Sequence, residues 1–426
     1  MIQFVKEFNM VIALVLSIAY FYQMGYLVIG LLLKRRRKHL EPVKQHRFAA
    51  IISARNEEGV IAELIGSLKR QNYPAELLDV YVVADNCTDD TAGVSRRAGA
   101  FVYERFDSIH KGKGYAMDYL FRNLREEGRD SYDGYFVFDA DNIVDPNFVA
   151  EMNRTFATGK YGAITSYRNS KNYGDNWISA GYSLWFLREA RFINFPRMLL
   201  GTGCAVSGTG FLVSADVIRA NGGWPFHLLT EDIEFSVHCA LKGVRIGYCD
   251  KAMIYDEQPT TFRQSWDQRL RWSKGFYQVD IKYGLSLFKH SFRIDRSGWT
   301  CYDLLMTVAP GMLLTVLTLL FNVILCMVCI SQPIYIARRV VAITFGFLWN
   351  TVLNLYVALF IYGFITTLTE WRKIHSSPAR KLGYLFTFPL FMFTYVPISI
   401  TAMVQKVEWK PIYHTASRTY SINEAG

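Results

Sequence analysis

Tyr135-Phe136-Val137-Phe138-Asp139-Ala140-Asp141 decides how this chain is read: an apolar run that ends abruptly in two carboxylates one residue apart. A continuous apolar run bounded by polar groups is the pattern of a strand buried on both faces. Two similar runs precede it. Phe48-Ala49-Ala50-Ile51-Ile52-Ser53-Ala54 stops at Arg55-Asn56-Glu57-Glu58 and leads into an amphipathic stretch over 60–71. Val80-Tyr81-Val82-Val83-Ala84 runs into Asp85-Asn86-Cys87-Thr88-Asp89-Asp90-Thr91. Strand, loop and helix in this order predict an α/β domain with a mostly parallel sheet, whose ligands gather at the carboxyl ends of the strands. Three such ends carrying acidic or amide groups define one candidate nucleotide pocket.

The residues at those ends suggest roles. Asp85, as an exposed strand-end carboxylate, is placed to accept hydrogen bonds from a base or ribose, although helix capping or an Asx turn would explain it equally in kind. Lys111-Gly112-Lys113-Gly114 is a flexible basic turn suited either to solvent or to base and phosphate contact. Asp139 and Asp141 can reach the same side of their loop, and hard oxygen ligands at that spacing suit Mg²⁺ or Mn²⁺ completed by water and phosphate. Ser207-Gly208-Thr209-Gly210 is a small-residue turn that admits close approach of a sugar to the backbone, with Gly208 and Thr209 as acceptor contacts. Thr230-Glu231-Asp232 opens a helical pattern; Thr230 is placed as its cap, while Glu231 and Asp232 either favour the helix dipole or supply a catalytic base. Residues 262–280 read as an amphipathic helix lying along a membrane surface, in which Arg271 can pair with a diphosphate and Trp272 offers a ring face for a pyranose.

Half of the 426 residues are hydrophobic and a fifth are charged. Four apolar stretches, over 10–33, 304–330, 340–368 and 382–404, each approach the ~20 residues that cross a bilayer core. The first lacks a basic lead-in and a small-residue cleavage site and ends in Lys34-Arg35-Arg36-Arg37-Lys38, so it reads as a retained anchor with the soluble domain in the cytosol. Arg372, Lys373, Arg380 and Lys381 place the loop between the last two stretches on the same side. One crossing before the domain and three after it would put residues 405–426 outside, unless one stretch is interfacial or re-entrant; Pro389 and Pro397 mark 382–404 as the irregular one. The net charge of +10 flanks apolar segments and carries no nucleic-acid motif, so no nucleic-acid partner is expected. The seven cysteines are scattered without zinc-like spacing, as in a reduced cytosolic domain.

The ordered set Asp85, Gly112-Lys113, Asp139-Ala140-Asp141, Thr230-Glu231-Asp232 and Gln268-Arg269-Leu270-Arg271-Trp272, followed by apolar segments, resembles the membrane-embedded processive family-2 inverting glycosyltransferases of GT-A fold. Cellulose, hyaluronan, chitin and bacterial mixed-linkage glucan synthases belong to that group. The resemblance implies uridine contacts at Asp85 and Lys113, nucleotide and metal at Asp139 and Asp141, the base at Asp232, and diphosphate and acceptor contacts at Gln268, Arg271 and Trp272. Where the family carries Tyr-Asn-Glu this chain has Ala54-Arg55-Asn56-Glu57, which keeps Asn56 and Glu57 as nucleotide contacts without the aromatic ring. The expected organisation is an anchor (1–40), a cytosolic GT-A domain (41–260), amphipathic interface helices (261–300), a transmembrane channel (301–404) and a tail (405–426) whose Trp409-Lys410-Pro411-Ile412-Tyr413-His414 is similar in kind to tail motifs of hyaluronan-type enzymes. The expected activity is polymerisation of a β-glucan from UDP-glucose with extrusion across the cell membrane. A polymer synthase using UDP-N-acetylglucosamine and a single-transfer lipid glycosyltransferase are the alternatives.

Overall fold

The computed structural model describes residues 2–33, 43–308, 310–329 and 331–407; the basic cluster after the first apolar stretch and the Trp409 tail motif lie outside them. Eight strands form one sheet: β1 (Phe48–Ala54), β2 (Leu78–Asp85), β3 (Phe101–Arg105), β4 (Gly134–Asp139), β5 (Ile143–Val144), β6 (Ala163–Ser170), β7 (Phe211–Ser214) and β8 (Ile246–Asp256), in the order β3-β2-β1-β4-β7-β6-β8-β5. The three apolar runs read from the sequence are β1, β2 and β4, and they pair in parallel with β1 between the other two. The second half departs from the mostly parallel expectation. β7 runs antiparallel to both β4 and β6, so the sheet is mixed.

Strand parity explains where the functional side chains go. Successive residues of a strand face opposite sides. In β1 and β4, Ala49, Ile51, Tyr135 and Val137 pack on one face against the helix Lys113–Glu126 through Ala116, Met117 and Leu120. Phe48, Ala50, Ile52, Phe136 and Phe138 pack on the other against the helices Ile61–Lys69 and Phe148–Phe156. Asp85 shares parity with Tyr81 and Val83, and Asp139 with Tyr135 and Val137, so both leave their strands on the side of the Lys113 helix. Burial on both faces is why these strands carry no polar alternation.

Among the described residues, three helical segments are long and apolar enough to cross a membrane: Gln3–Leu32, Ile334–Thr369 and Pro378–Val404, with a shorter apolar helix over Thr315–Cys329. The first begins well before the apolar stretch read from the sequence. Within the stretch 304–330, Leu304, Leu305 and Val308 lie in the helix Arg296–Val308 and pack on Val279 and Leu287 of the interface helix, and Pro310–Cys329 is helical as well, with residue 309 outside the described residues. That interface helix runs Phe262–Ser291, well past residue 280. Pro378–Val404 is interrupted at Thr394, between the helices Pro378–Phe393 and Tyr395–Val404, as its prolines led one to expect.

Candidate active site

A cavity of about 580 Å³ lies at the carboxyl ends of the strands. Its walls carry Ser53, Glu57, Asp85, Lys113, Asp139, Asp141, Gly208, Glu231, Asp232, Gln268, Arg271 and Trp272, which brings most of the residues singled out in the sequence to one place. Asn56 and Thr209 are the exceptions. Asn56, at φ 57°, spends its side chain on the neighbouring loop, accepting from Thr88 N at 2.8 Å and donating to Thr88 Oγ1 at 3.1 Å. Thr209 is buried beneath the cavity, where its hydroxyl accepts from Asp139 N at 2.9 Å and donates to Asn142 Oδ1. Both hold loops in place from outside the lining.

Asp85 is also unlike its reading as an exposed carboxylate. It is 3% exposed and paired with Arg105 Nη1 at 2.6 Å. Burial raises its pKa against the pull of Arg105. The pairing follows from register, since Asp85 stands opposite Arg105 across β2 and β3.

Lys113 opens its helix after Gly112 and reaches Asp139 Oδ1 at 2.5 Å and the Gly208 carbonyl at 2.6 Å. One ammonium thus ties the end of β4 to the Gly208 turn, and the pull of Asp139 keeps it protonated despite burial. Gly208 has φ 71°, a conformation that favours glycine, and its N–H donates to Asp232 Oδ2 at 2.6 Å. Asp141 is 4% exposed; Asn142 Nδ2 at 3.4 Å and Glu257 N at 3.3 Å donate to its two oxygens.

Glu231 and Asp232 open the helix Glu231–Leu241, half-buried in the cavity wall. Thr230 stands at the N-cap position but does not cap with its side chain; among the described residues its buried hydroxyl has no partner. Burial, and then the charge of Asp232, raises the pKa of Glu231. Burial also raises that of Asp232, while the N–H groups of Ile233 and Gly208 favour its ionised form. Burial and mutual charge thus favour a proton on the pair, most strongly at Glu231, while the two backbone N–H groups favour the ionised form of Asp232.

The interface helix docks closely here because Gly275 has no side chain: a Cβ would stand 2.5 Å from Thr230 Cγ2. It delivers Gln268, Arg271 and Trp272 from one face. Gln268 Oε1 is buried and has no partner among the described residues. Arg271 is half-buried; desolvation lowers its pKa, opposed by Glu231, Asp139 and Asp232. Trp272 meets Tyr182 and Phe186 edge-on at 5.8 and 6.3 Å. Arg269, between them in sequence, points the other way, wholly buried.

Sequence reading missed Arg168 and Asp256. Asp256 ends β8, and Arg168 of β6 donates to it through Nε at 2.8 Å and through Nη2. Both line the cavity. The signal was present, since Asp256 is a further acidic strand end like Asp85 and Asp139, but Arg168 had no motif to mark it.

Comparison with known proteins agrees with this geometry. Residues 46–275, more than half of the chain, match the family described as Glycosyltransferase like family 2. The chain is 26% identical over 233 residues to a β-monoglucosyldiacylglycerol synthase of Synechocystis sp., covering 55% of this chain and 48% of that protein. It is 25% identical over 243 residues to a poly-β-1,6-N-acetyl-D-glucosamine synthase of Staphylococcus aureus, covering 56% and 57%. It therefore spans about half the length of these curated relatives. The structure of a mannosyltransferase from Pyrobaculum calidifontis in complex with GDP-Man and Mn²⁺ superposes with a TM-score of 0.55 at 14% identity, covering 92% of this chain and 98% of that one, which is a likeness of fold. The mixed sheet, with its acidic strand ends gathered in one cavity, is the GT-A arrangement, and the chain belongs to glycosyltransferase-like family 2.

Proposed function

We propose that the protein is an inverting glycosyltransferase that moves a sugar from a nucleotide diphosphate, most simply UDP-glucose, to the end of a β-linked polysaccharide at a multi-pass membrane. The observation that carries this reading is the single cavity in which a metal-type carboxylate pair, a base-type pair, the Arg271 guanidinium and an indole converge. The nucleoside sits against Glu57 and Asp85, and Lys113, Gln268 and Arg271 face the diphosphate. Asp139 and Asp141 fit a hard divalent cation: both are oxygen donors on one cavity, and among the described residues no third His, Cys, Asp or Glu completes a closed set, which leaves positions for phosphate oxygens. Mg²⁺ or Mn²⁺ held there would offset charge on the leaving diphosphate.

Asp232 takes the proton of the acceptor hydroxyl as its oxygen bonds to the anomeric carbon from the face opposite the diphosphate. The bond from that carbon to the phosphate oxygen breaks, UDP departs, and the configuration inverts. Arg271 stabilises the charge that develops on the leaving group. Burial and the charge of Asp232 favour the protonated form of Glu231, which limits the negative charge in the site. Trp272 provides a face for the acceptor sugar between additions.

A second reading, one sugar placed on a diacylglycerol-like lipid, is favoured by the first relative named above and needs the same donor site. Purified protein in detergent, given individual UDP-sugars with Mg²⁺ or Mn²⁺ and with EDTA, tests both. Cation-dependent long polymer supports the proposal. A product of one sugar on lipid refutes processivity, and consumption of no nucleotide sugar refutes the reading as a whole.

A further inference from the structure

One wall of the cavity has no part in the chemistry above. Trp185, Glu189, Ile193 and Arg197 all line it, each four residues after the last. In a straight α-helix that spacing drifts by roughly 40° per step and scatters the four over about a third of a turn. Here the helix Trp177–Glu189 passes into a π turn, Ala190–Asn194, before continuing as Phe195–Leu200. The wider turn offsets part of the drift and holds the four side chains on one face. Such π insertions into α-helices recur at functional sites.

The cations on this wall already have partners. Arg197 is bound by both oxygens of Asp303 at 2.7 and 2.8 Å. Arg188 donates to Gln23 Oε1 at 3.0 Å and lies over the Trp185 ring at 4.8 Å, which ties the wall to the first membrane-type helix. Glu189 differs: among the described residues its carboxylate has no hydrogen-bond or ion-pair partner, though it faces Arg168, Arg197, Arg188, Asp232 and Tyr395.

We propose that Glu189 and Trp185 form an acceptor subsite for a neutral polyol terminus, the carboxylate accepting hydrogen bonds from vicinal hydroxyls while the indole covers an apolar face. This rests on the glycosyl-transfer reading. The ligand class follows from the surroundings. Three guanidiniums around Glu189 disfavour a cation, the carboxylate disfavours an anion, and hydroxyls suit an acceptor-only group beside a ring. The same chemistry is offered by the end of a sugar chain and by the glycerol hydroxyls of a lipid.

The full chain in detergent micelles would be given UDP-glucose and one of two acceptors, a short β-linked glucose oligomer or 1-monooleoylglycerol, which keeps two adjacent free hydroxyls. Hydrogen bonds to a charged partner lose enough on neutralisation that Glu189→Gln should raise the acceptor KM about 10- to 100-fold, with UDP affinity kept. Glu189→Asp should fall between. Response with the oligomer assigns the subsite to a sugar chain, and response with 1-monooleoylglycerol to a lipid. Unchanged acceptor KM in Glu189→Gln, or a loss of UDP affinity along with it, would overturn the subsite while leaving the transferase reading standing. Transfer by the wild type to neither acceptor would overturn that reading, and the subsite with it.

Discussion

Asp232 and Glu231 are adjacent in sequence and share one cavity, yet their environments push them toward different work. Asp232 receives Gly208 N–H at 2.6 Å, a bond that favours a carboxylate, whereas Glu231 feels that carboxylate's charge. As base, Asp232 is expected to lose ~10²- to 10⁴-fold in transfer on change to Asn, with UDP bound nearly normally. Isothermal titration alongside a turnover assay separates the roles; turnover kept at saturation with UDP affinity lost would make Asp232 a nucleotide ligand. Glu231 gives a pH prediction. Its folded pKa is raised to about 8, above the unfolded ~4.3, so the fold binds this proton more tightly than the open chain does. The stability it contributes is complete below the unfolded value and is lost as pH rises toward the folded one. Glu231→Gln should therefore melt progressively higher than wild type between pH 5 and 8. A melting difference that stays constant across that window would show that Glu231 does not titrate there.

At the scale of elements, the interface helix serves two masters. Arg271 and Trp272 face the cavity, while Arg269 faces the break in the last membrane-type segment. Its Nη1 donates to the Phe391 carbonyl at 3.1 Å and to Thr394 Oγ1 at 2.6 Å. Pro389 and Pro397 both lack the N–H that a continuous helix would use, and the guanidinium binds between them, at the Phe391 carbonyl and the Thr394 hydroxyl. The guanidinium also lies 4.3 Å over Phe391 and 5.0 Å over Tyr395, so it holds both halves of the broken helix. Arg269→Ala removes these bonds and leaves a cavity, at a cost of about 2–5 kcal/mol. A lowered thermal transition in detergent checks it; an unchanged transition would mean that the break is held by its own two helices. The motif thus carries an Arg for chemistry and an Arg for architecture, and spacing alone did not tell them apart.

For the whole molecule, the question is whether the product stays bound between additions. An indole stacked on the terminal sugar contributes on the order of a kcal/mol. Trp272→Ala should shorten or abolish polymer while UDP binding persists, as read by product length on a gel or by mass spectrometry; unchanged long polymer would remove the stacking role. Some of this molecule was legible without coordinates. β1, β2 and β4 are apolar on both faces, and such strands announce themselves because burial on two sides tolerates no alternation. The acidic strand ends followed, since the chain must turn polar where it leaves the sheet. What the sequence left open were the relations between distant segments. Nothing local marks β7 as antiparallel, Asp85 as buried against Arg105, Thr209 as beneath the cavity, or Arg168 as the partner of Asp256, because each depends on register between segments far apart in the chain. The same holds for the apolar stretch around 304–330: its composition suits a bilayer, but residues 304–308 are claimed by the interface helix. Hydropathy measures what a side chain avoids, and only the packed structure decides which apolar neighbour it meets.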